Sequence, residues 1–191
     1  MLSGYTRPSR RGIVYNSTFQ SRLDWDRMKW IRGQVSNMPF MVKGVQTAED
    51  AELCVQHGVD VIWVSNHGGR QLDHAIGTLE TLREVTEAVQ GKAEIILDGG
   101  VQRATDVLKA IALGARAVAI GRLTGYGLAA NGKDGLVRVL EILEHEMISA
   151  MGLLGITRID ELGPEFVREA ESVVPSHEMS SWVNMPGGRL L

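Results

Sequence analysis

The 191-residue sequence predicts an α/β fold in which short parallel strands alternate with helices. Three observations support this prediction: short apolar runs recur along the chain, amphipathic helical patterns separate them, and one strand–helix–strand unit occurs twice. Hydrophobic residues make up 44% of the chain and charged residues 23%, which is ordinary for a globular protein with a sizeable core.

The order of elements predicts one folded domain between two irregular ends. Residues 1–22 show no hydrophobic period and are expected to form an irregular N-terminal arm. The domain is expected over residues 23–165, and it opens with an amphipathic helix that follows Asp24. Residues 166–191 are expected to form a polar C-terminal tail.

Four segments are almost continuously apolar, which is typical of parallel strands that are covered on both faces. The predicted strands are Phe40–Lys43, Val61–Ser65, Glu94–Asp98 and Ala117–Gly121. The predicted helices between and after them are Thr47–His57, Thr78–Val89, Ala104–Leu113 and a long helix over about Asp134–Met151.

An internal repeat extends this prediction from a sheet to a barrel. The Gly-Val-Gln segment that begins at Gly44 recurs at Gly100, and the same offset of 56 residues takes Gly58 to Gly114. A strand–helix–strand unit repeated in register favours a rotationally repeated barrel over an open sheet. An eight-stranded barrel needs about 250 residues, so four strands predict half a barrel. Its open edges would need another copy, a partner chain or missing sequence to cover them.

Composition narrows the possible partners and location. The net charge of −3 and the pI near 6.0 argue against a nucleic-acid partner. No apolar run reaches membrane-spanning length, and no set of metal ligands is predicted. The single cysteine, Cys54, fits a reducing compartment, so a cytoplasmic location is expected. Its neighbours Leu53 and Val55 predict a buried helix position rather than a catalytic thiol.

Every predicted strand ends in polar or glycine residues. In a barrel of parallel strands, the functional residues gather at the C-terminal ends of the strands. These ends are Lys43, Ser65–Arg70, Asp98–Gly100 and Gly121–Arg122. Their convergence predicts one site at one end of the sheet.

The second of these ends carries a candidate base and a candidate carboxylate ligand. An imidazole such as that of His67 is well suited to accept a proton near neutral pH. The guanidinium of Arg70 can bind a carboxylate through two parallel hydrogen bonds. Together they match what the oxidation of a 2-hydroxy acid requires. A structural histidine and a surface arginine on an ordinary turn remain the alternative.

Two glycine turns predict a phosphate site. Gly99 and Gly100 leave backbone N–H groups unobstructed, and the helix near Ala104 would direct its positive end toward the same space. Gly121 and Arg122 add a second open turn and a fixed charge, at the loops that usually bind phosphate in barrels. Ordinary strand-to-helix turns remain the alternative for each.

The ten residues Val64–Asp73 resemble the active-site signature of the FMN-dependent α-hydroxy acid oxidase/dehydrogenase family, which includes glycolate oxidase and lactate-oxidising enzymes. The segments around Lys43, Asp98 and Gly121 follow in the family's order and spacing. The resemblance implies the C-terminal half, strands 5–8, of a TIM (β/α)8 barrel. It also implies FMN as cofactor and oxidation of a small 2-hydroxy acid to a 2-oxo acid by hydride transfer.

The resemblance also assigns roles to individual residues. It implies His67 as the catalytic base, Asp98 behind it, and both His67 and Arg70 as substrate ligands. The residues implied at the flavin or its phosphate are Lys43, Ser65, Asp98, Gly99, Gly100, Gln102, Arg103, Gly121 and Arg122. Gln102 stands where the family usually has arginine, which weakens that phosphate contact or leaves it to Arg103.

Two hypotheses on function follow. In the first, the complete protein is an FMN-dependent oxidoreductase that needs the other half of the barrel, because the first four strands of the family's barrel are not in this sequence. In the second, the chain is a catalytically incomplete half-barrel that assembles with itself or a partner and at most binds phosphate or FMN. Both predict an oligomer or a complex.

Overall fold

The computed structural model describes residues 24–35 and 37–170. Four strands form one sheet in the order β1-β2-β3-β4, and every neighbouring pair is parallel. The strands are β1 (Met41–Val45), β2 (Val61–Val64), β3 (Glu94–Asp98) and β4 (Ala117–Ala119). The predicted parallel α/β fold is therefore confirmed. The predicted arm over residues 1–22 and the tail beyond residue 170 lie outside the described residues.

Helices connect the strands and follow the last one. They are α1 (Trp25–Gln34), α2 (Ala48–Gln56), α3 (Thr78–Val89), α4 (Ala104–Ala112) and α5 (Arg122–Leu154). Short 3₁₀ turns span His67–Gly69, Ile159–Glu161 and Pro164–Phe166. No helix in the described part of the chain is long and apolar enough to cross a membrane.

The helices cover one face of the sheet and leave the other open. Ile62 and Val64 of β2 are fully buried and belong to a core that also contains Leu82 of α3. Because side chains alternate along a strand, Val61 and Trp63 face the opposite side, and both are partly exposed. Met41 of β1 is 43% exposed. This open face corresponds to the interior of a barrel, whose other wall the described residues do not supply.

The predicted thiol environment agrees with the structure. Cys54 of α2 is buried within the core. Burial, with a smaller effect of the nearby Asp50 carboxylate, raises the pKa of the Cys54 thiol to about 11. A thiol that stays protonated at neutral pH is a poor nucleophile, so Cys54 serves in packing.

Three strand ends differ from the prediction in ways that affect the site. β1 continues to Val45, and a register irregularity after Lys43 coincides with Gly44 at φ +103°. Lys43 therefore lies inside the strand rather than at its end. β2 and β4 end one and two residues earlier than predicted, so Ser65 and Gly121 lie just beyond them.

The last helix begins far earlier than predicted. α5 starts at Arg122 and is broken by non-helical backbone at Asn131 and Gly132, with the predicted helix corresponding to its second arm. The two arms touch at their glycines, since a methyl group on Gly127 would lie 2.7 Å from the carbonyl oxygen of Gly135. A helical hairpin therefore follows β4, and its first arm starts at the predicted site.

Candidate active site

The C-terminal ends of the four strands converge on one open cavity of about 560 Å³. Most of the residues predicted from the strand ends line it. The predicted residues that line the cavity are Lys43, His67, Arg70, Asp98, Gly99, Gly100, Gln102, Gly121 and Arg122. Ser65 lies behind the surface at 2% exposure, and Arg103 is not part of the lining.

A hydrogen-bonded cluster joins the first three strands at one side of the cavity. Lys43 Nζ donates to Ser65 Oγ over 2.5 Å and to Asp98 Oδ2 over 2.6 Å. Ser65 Oγ donates in turn to Asp98 Oδ1 over 2.6 Å. The buried hydroxyl thus bridges the ion pair, and both carboxylate oxygens are used. The cluster fixes a lysine ammonium at the C-terminal end of the sheet.

The loop after β2 turns sharply at the cavity edge. His67, Gly68 and Gly69 all have positive φ angles, of 56°, 73° and 71°. A positive φ is uncommon for a residue with a side chain, and such backbone conformations concentrate at functional sites. Asn66 Oδ1 accepts a hydrogen bond from the Gly69 N–H over 3.0 Å, which stabilises the turn. The turn brings His67 and Arg70 to the same cavity.

The hydrogen bonds of Asp98 differ from the support of His67 that the sequence suggested. Its carboxylate accepts from Lys43 Nζ and Ser65 Oγ, and no hydrogen bond joins it to the His67 ring among the described residues. The connection to His67 is indirect. Ser65 Oγ accepts a hydrogen bond from the His67 backbone N–H over 3.2 Å. Asp98 therefore orders the start of the histidine turn and orients Lys43.

A second part of the cavity lining is built largely from backbone. A Cβ atom at Gly100 or Gly121 would meet nothing within 4 Å, so both turns are open. A Cβ atom at Gly99 would instead lie 2.6 Å from Thr78 Oγ1, so this glycine permits close packing of α3. Gly121 is the N-cap of α5, which no side chain among the described residues caps. An open helix start beside Arg122 suits an anion.

The start of α4 is already occupied by carboxylates. The N–H groups of Gln102 and Arg103 donate to Asp106 Oδ2, and the Ala104 N–H donates to Glu146 Oε2. The Arg103 guanidinium pairs with Glu146 Oε1 over 2.7 Å. The hydrogen bond from the Arg103 side chain, followed by that from the Ala104 N–H, lowers the pKa of the Glu146 carboxyl. Three N–H groups at the start of α4 therefore have carboxylate acceptors within the chain, whereas the start of α5 has no side-chain cap among the described residues.

Trp63 was not among the predicted site residues, yet it lines the cavity. Lys43 Nζ lies 4.8 Å from the centroid of its ring. The signal available in the sequence was its position two residues before Ser65, on the strand face that also points to the site.

Comparison with known proteins identifies the family. The family model described as FMN-dependent dehydrogenase matches residues 4–169. The chain belongs to this family. It is 44% identical over 171 residues to the peroxisomal (S)-2-hydroxyacid oxidase GLO3 of Arabidopsis thaliana, covering 88% of this chain and 47% of that protein. It is 44% identical over 145 residues to the L-lactate oxidase of a Nostoc species, covering 76% of this chain and 40% of that protein.

Solved structures support the same assignment. A crystal structure of mandelate oxidase with benzoyl-formic acid matches with a TM-score of 0.69 and 43% identity, covering 73% of this chain and 41% of the other. A mandelate oxidase variant with a monooxide FMN adduct matches equally well, with 44% of that chain covered. The predicted family, the partial TIM barrel and the FMN cofactor are therefore confirmed. The chain spans about half the length of the curated relatives it matches.

Proposed function

We propose that the complete protein oxidises a small 2-hydroxy acid to the corresponding 2-oxo acid, with FMN as the oxidant. The observation that carries this proposal is the convergence of His67, Arg70 and the Lys43–Asp98 ion pair on one cavity with an open glycine side. Relatives named for 2-hydroxyacid and L-lactate oxidation support the substrate class.

Four residues of the cavity divide the chemistry between them. Arg70 binds the substrate carboxylate, and His67 accepts the proton of the 2-hydroxyl group as the carbonyl double bond forms. The bound cofactor would supply the acceptor for the hydride that leaves the α-carbon. Lys43 supplies a fixed positive charge near the reacting groups, and Asp98 holds it in place. The residues present fit this cofactor.

The glycine side would hold the phosphate. Gly100 and Gly121 leave room for a phosphate to approach the backbone, and Arg122 offers a full charge at an uncapped helix start. Gln102 lines the cavity without a charge, whereas Arg103 is held away by Glu146. Arg122 is therefore the principal phosphate cation in this proposal.

We propose further that the site is completed by the other half of the barrel. β1 and β4 are edges of the described sheet, and the barrel-facing side carries exposed Met41 and partly exposed Trp63. Unpaired strand edges and an open apolar face favour association.

A second candidate function rests on the same open edges and apolar face. In this alternative, the chain associates with its own copies and binds FMN or phosphate without turnover.

FMN titration followed by turnover with glycolate or lactate separates these functions. The 191-residue chain would be measured alone and after mixing with a chain that supplies the first four strands of a relative. We expect tight FMN binding and reduction of the flavin by the hydroxy acid only in the mixture. FMN binding without reduction in both samples would support the second candidate, and no FMN binding in either would overturn both.

Cytoplasmic location stays a prediction, which fluorescence microscopy of the tagged chain can test.

A further inference from the structure

Trp63 is a cavity residue with no role in the chemistry above. It lies in β2 directly beside Lys43 of β1 in the register of the sheet. Its neighbours Ile62 and Val64 are buried beneath the helices, so Trp63 projects to the open face, where it lines the cavity with Lys43 and His67.

One contact and one unpaired nitrogen characterise the indole ring of Trp63. The Lys43 ammonium lies over the ring at 4.8 Å from its centroid, within the roughly 6 Å range of a cation–π interaction. The Trp63 Nε1 atom is buried and has no hydrogen-bond partner among the described residues. An unpaired buried N–H is unfavourable, and an aliphatic side chain would avoid it. The polar contact of this tryptophan is therefore made by its ring face and not by its nitrogen.

We propose that Trp63 is a positioning residue for Lys43, with the ring face holding the ammonium against Ser65 and Asp98. The Lys43 side chain is 41% exposed, and at that exposure water and side-chain entropy weaken an ion pair. A ring on one side of the ammonium limits the positions that the flexible lysine can occupy. The position of the positive charge then depends on Ser65 and Asp98 as hydrogen-bond partners and on the indole ring of Trp63. Its consequence for flavin chemistry rests on the proposed function, whereas the contact itself does not.

Lysine acylation followed by mass spectrometry tests the proposal on the full 191-residue chain without FMN. We expect Trp63→Leu to raise the acylation rate of Lys43 about 2- to 5-fold, which corresponds to the roughly 0.5–1 kcal/mol of a partly exposed cation–π contact. The rate at Lys109, which pairs with Asp106, should not change. Trp30→Leu is the matched control, because Trp30 is 55% exposed and stacks with Arg27 instead.

Trp63→Phe separates ring contact from simple shielding. Phenylalanine opens the cavity and removes the Nε1–H but keeps an aromatic face, so Lys43 should stay largely protected. Equal labelling in Trp63→Phe and Trp63→Leu would overturn the proposal, as would unchanged labelling in Trp63→Leu accompanied only by a lower melting temperature.

A second measurement does not require a substitution of the tryptophan. Lys43→Met should shift the indole N–H resonance of Trp63 in the nuclear magnetic resonance spectrum and leave those of Trp25 and Trp30 in place. An unshifted Trp63 resonance would contradict the contact. Because neither experiment uses FMN, failure of the proposed function would appear only in the flavin titration, and failure of this inference only here.

Discussion

The two sides of the cavity are held in place in different ways. The ammonium side, formed by Lys43, Ser65 and Asp98, is joined by side-chain hydrogen bonds across three strands. The glycine side, formed by Gly100, Gly121 and Arg122, consists of open backbone turns and an uncapped helix start. In the proposed function, the ammonium side takes part in the chemistry and the glycine side binds the cofactor phosphate. Substitutions on the two sides should therefore change different measured quantities.

The largest expected effect comes from replacing the proposed base, His67. In the completed barrel, His67→Ala should lower kcat by at least the roughly 10²–10⁴-fold of a lost general base. FMN affinity should stay nearly unchanged, because the imidazole is proposed to act on the substrate and not on the phosphate. Steady-state kinetics and a flavin titration measure the two quantities. Loss of FMN binding together with kcat would show that the histidine turn is a structural support.

Arg70→Lys should have a smaller effect of a different kind. Lysine keeps the charge but loses the planar pair of donors, so the carboxylate is held less well and less precisely. We expect kcat/KM to fall about 10- to 100-fold, in line with roughly 1.5–3 kcal/mol for a hydrogen bond to a charged group. KM should rise and kcat should fall. The control is an alcohol substrate without a carboxylate, whose turnover should depend on His67 and not on Arg70.

On the glycine side, Arg122→Ala should weaken FMN binding by roughly 10-fold or more, because a charge-assisted contact to phosphate is lost. Gln102→Arg should tighten binding by a smaller factor. Riboflavin, which lacks the phosphate, is the matched control ligand and should respond to neither change. The reverse ranking of the two variants, or an equal effect on riboflavin, would show that the phosphate does not bind at the glycine side.

The smallest expected effect concerns the start of α4, where N–H groups donate to Asp106 and Glu146. Donors from Arg103 and Ala104 lower the pKa of Glu146, so its contribution to stability is present at neutral pH. It is lost only as the pH falls below the ordinary value of 4.5 and through the lowered pKa. Glu146→Gln should therefore lower the melting temperature slightly at neutral pH and not at all in strong acid. Melting curves over this pH range measure it, and a difference that grows in acid would contradict the assignment.

Sequence reasoning predicted the strand ends because apolar runs and glycine turns are local signals. Lys43, His67, Asp98 and Gly121 were predicted at one end of a parallel sheet, and the structure brings them to one cavity. Their individual roles in catalysis and cofactor binding stay predictions.

Contacts that depend on strand register were not predictable in the same way. Asp98 was expected to support His67, but its charged partner is Lys43, which lies 55 residues away in the sequence and is brought near by the pairing of β1, β2 and β3. The first arm of α5 was missed because two of its nine residues, Gly125 and Gly127, are glycines, which have low helix propensity. Arg103 was expected at the phosphate, but its partner Glu146 lies 43 residues further along the chain.

The break in α5 gives the candidate phosphate cation a remote point of control. The first arm, Arg122–Ala130, is about 13 Å long at 1.5 Å per residue, and it turns back at Gly132 with φ +54°. The close contact of Gly127 with Gly135 leaves no space for a side chain at either position. Replacing either glycine would force the arms apart and tilt the end that bears Arg122. In the proposed function, a substitution at this contact between the two arms would change cofactor retention although neither glycine lines the cavity.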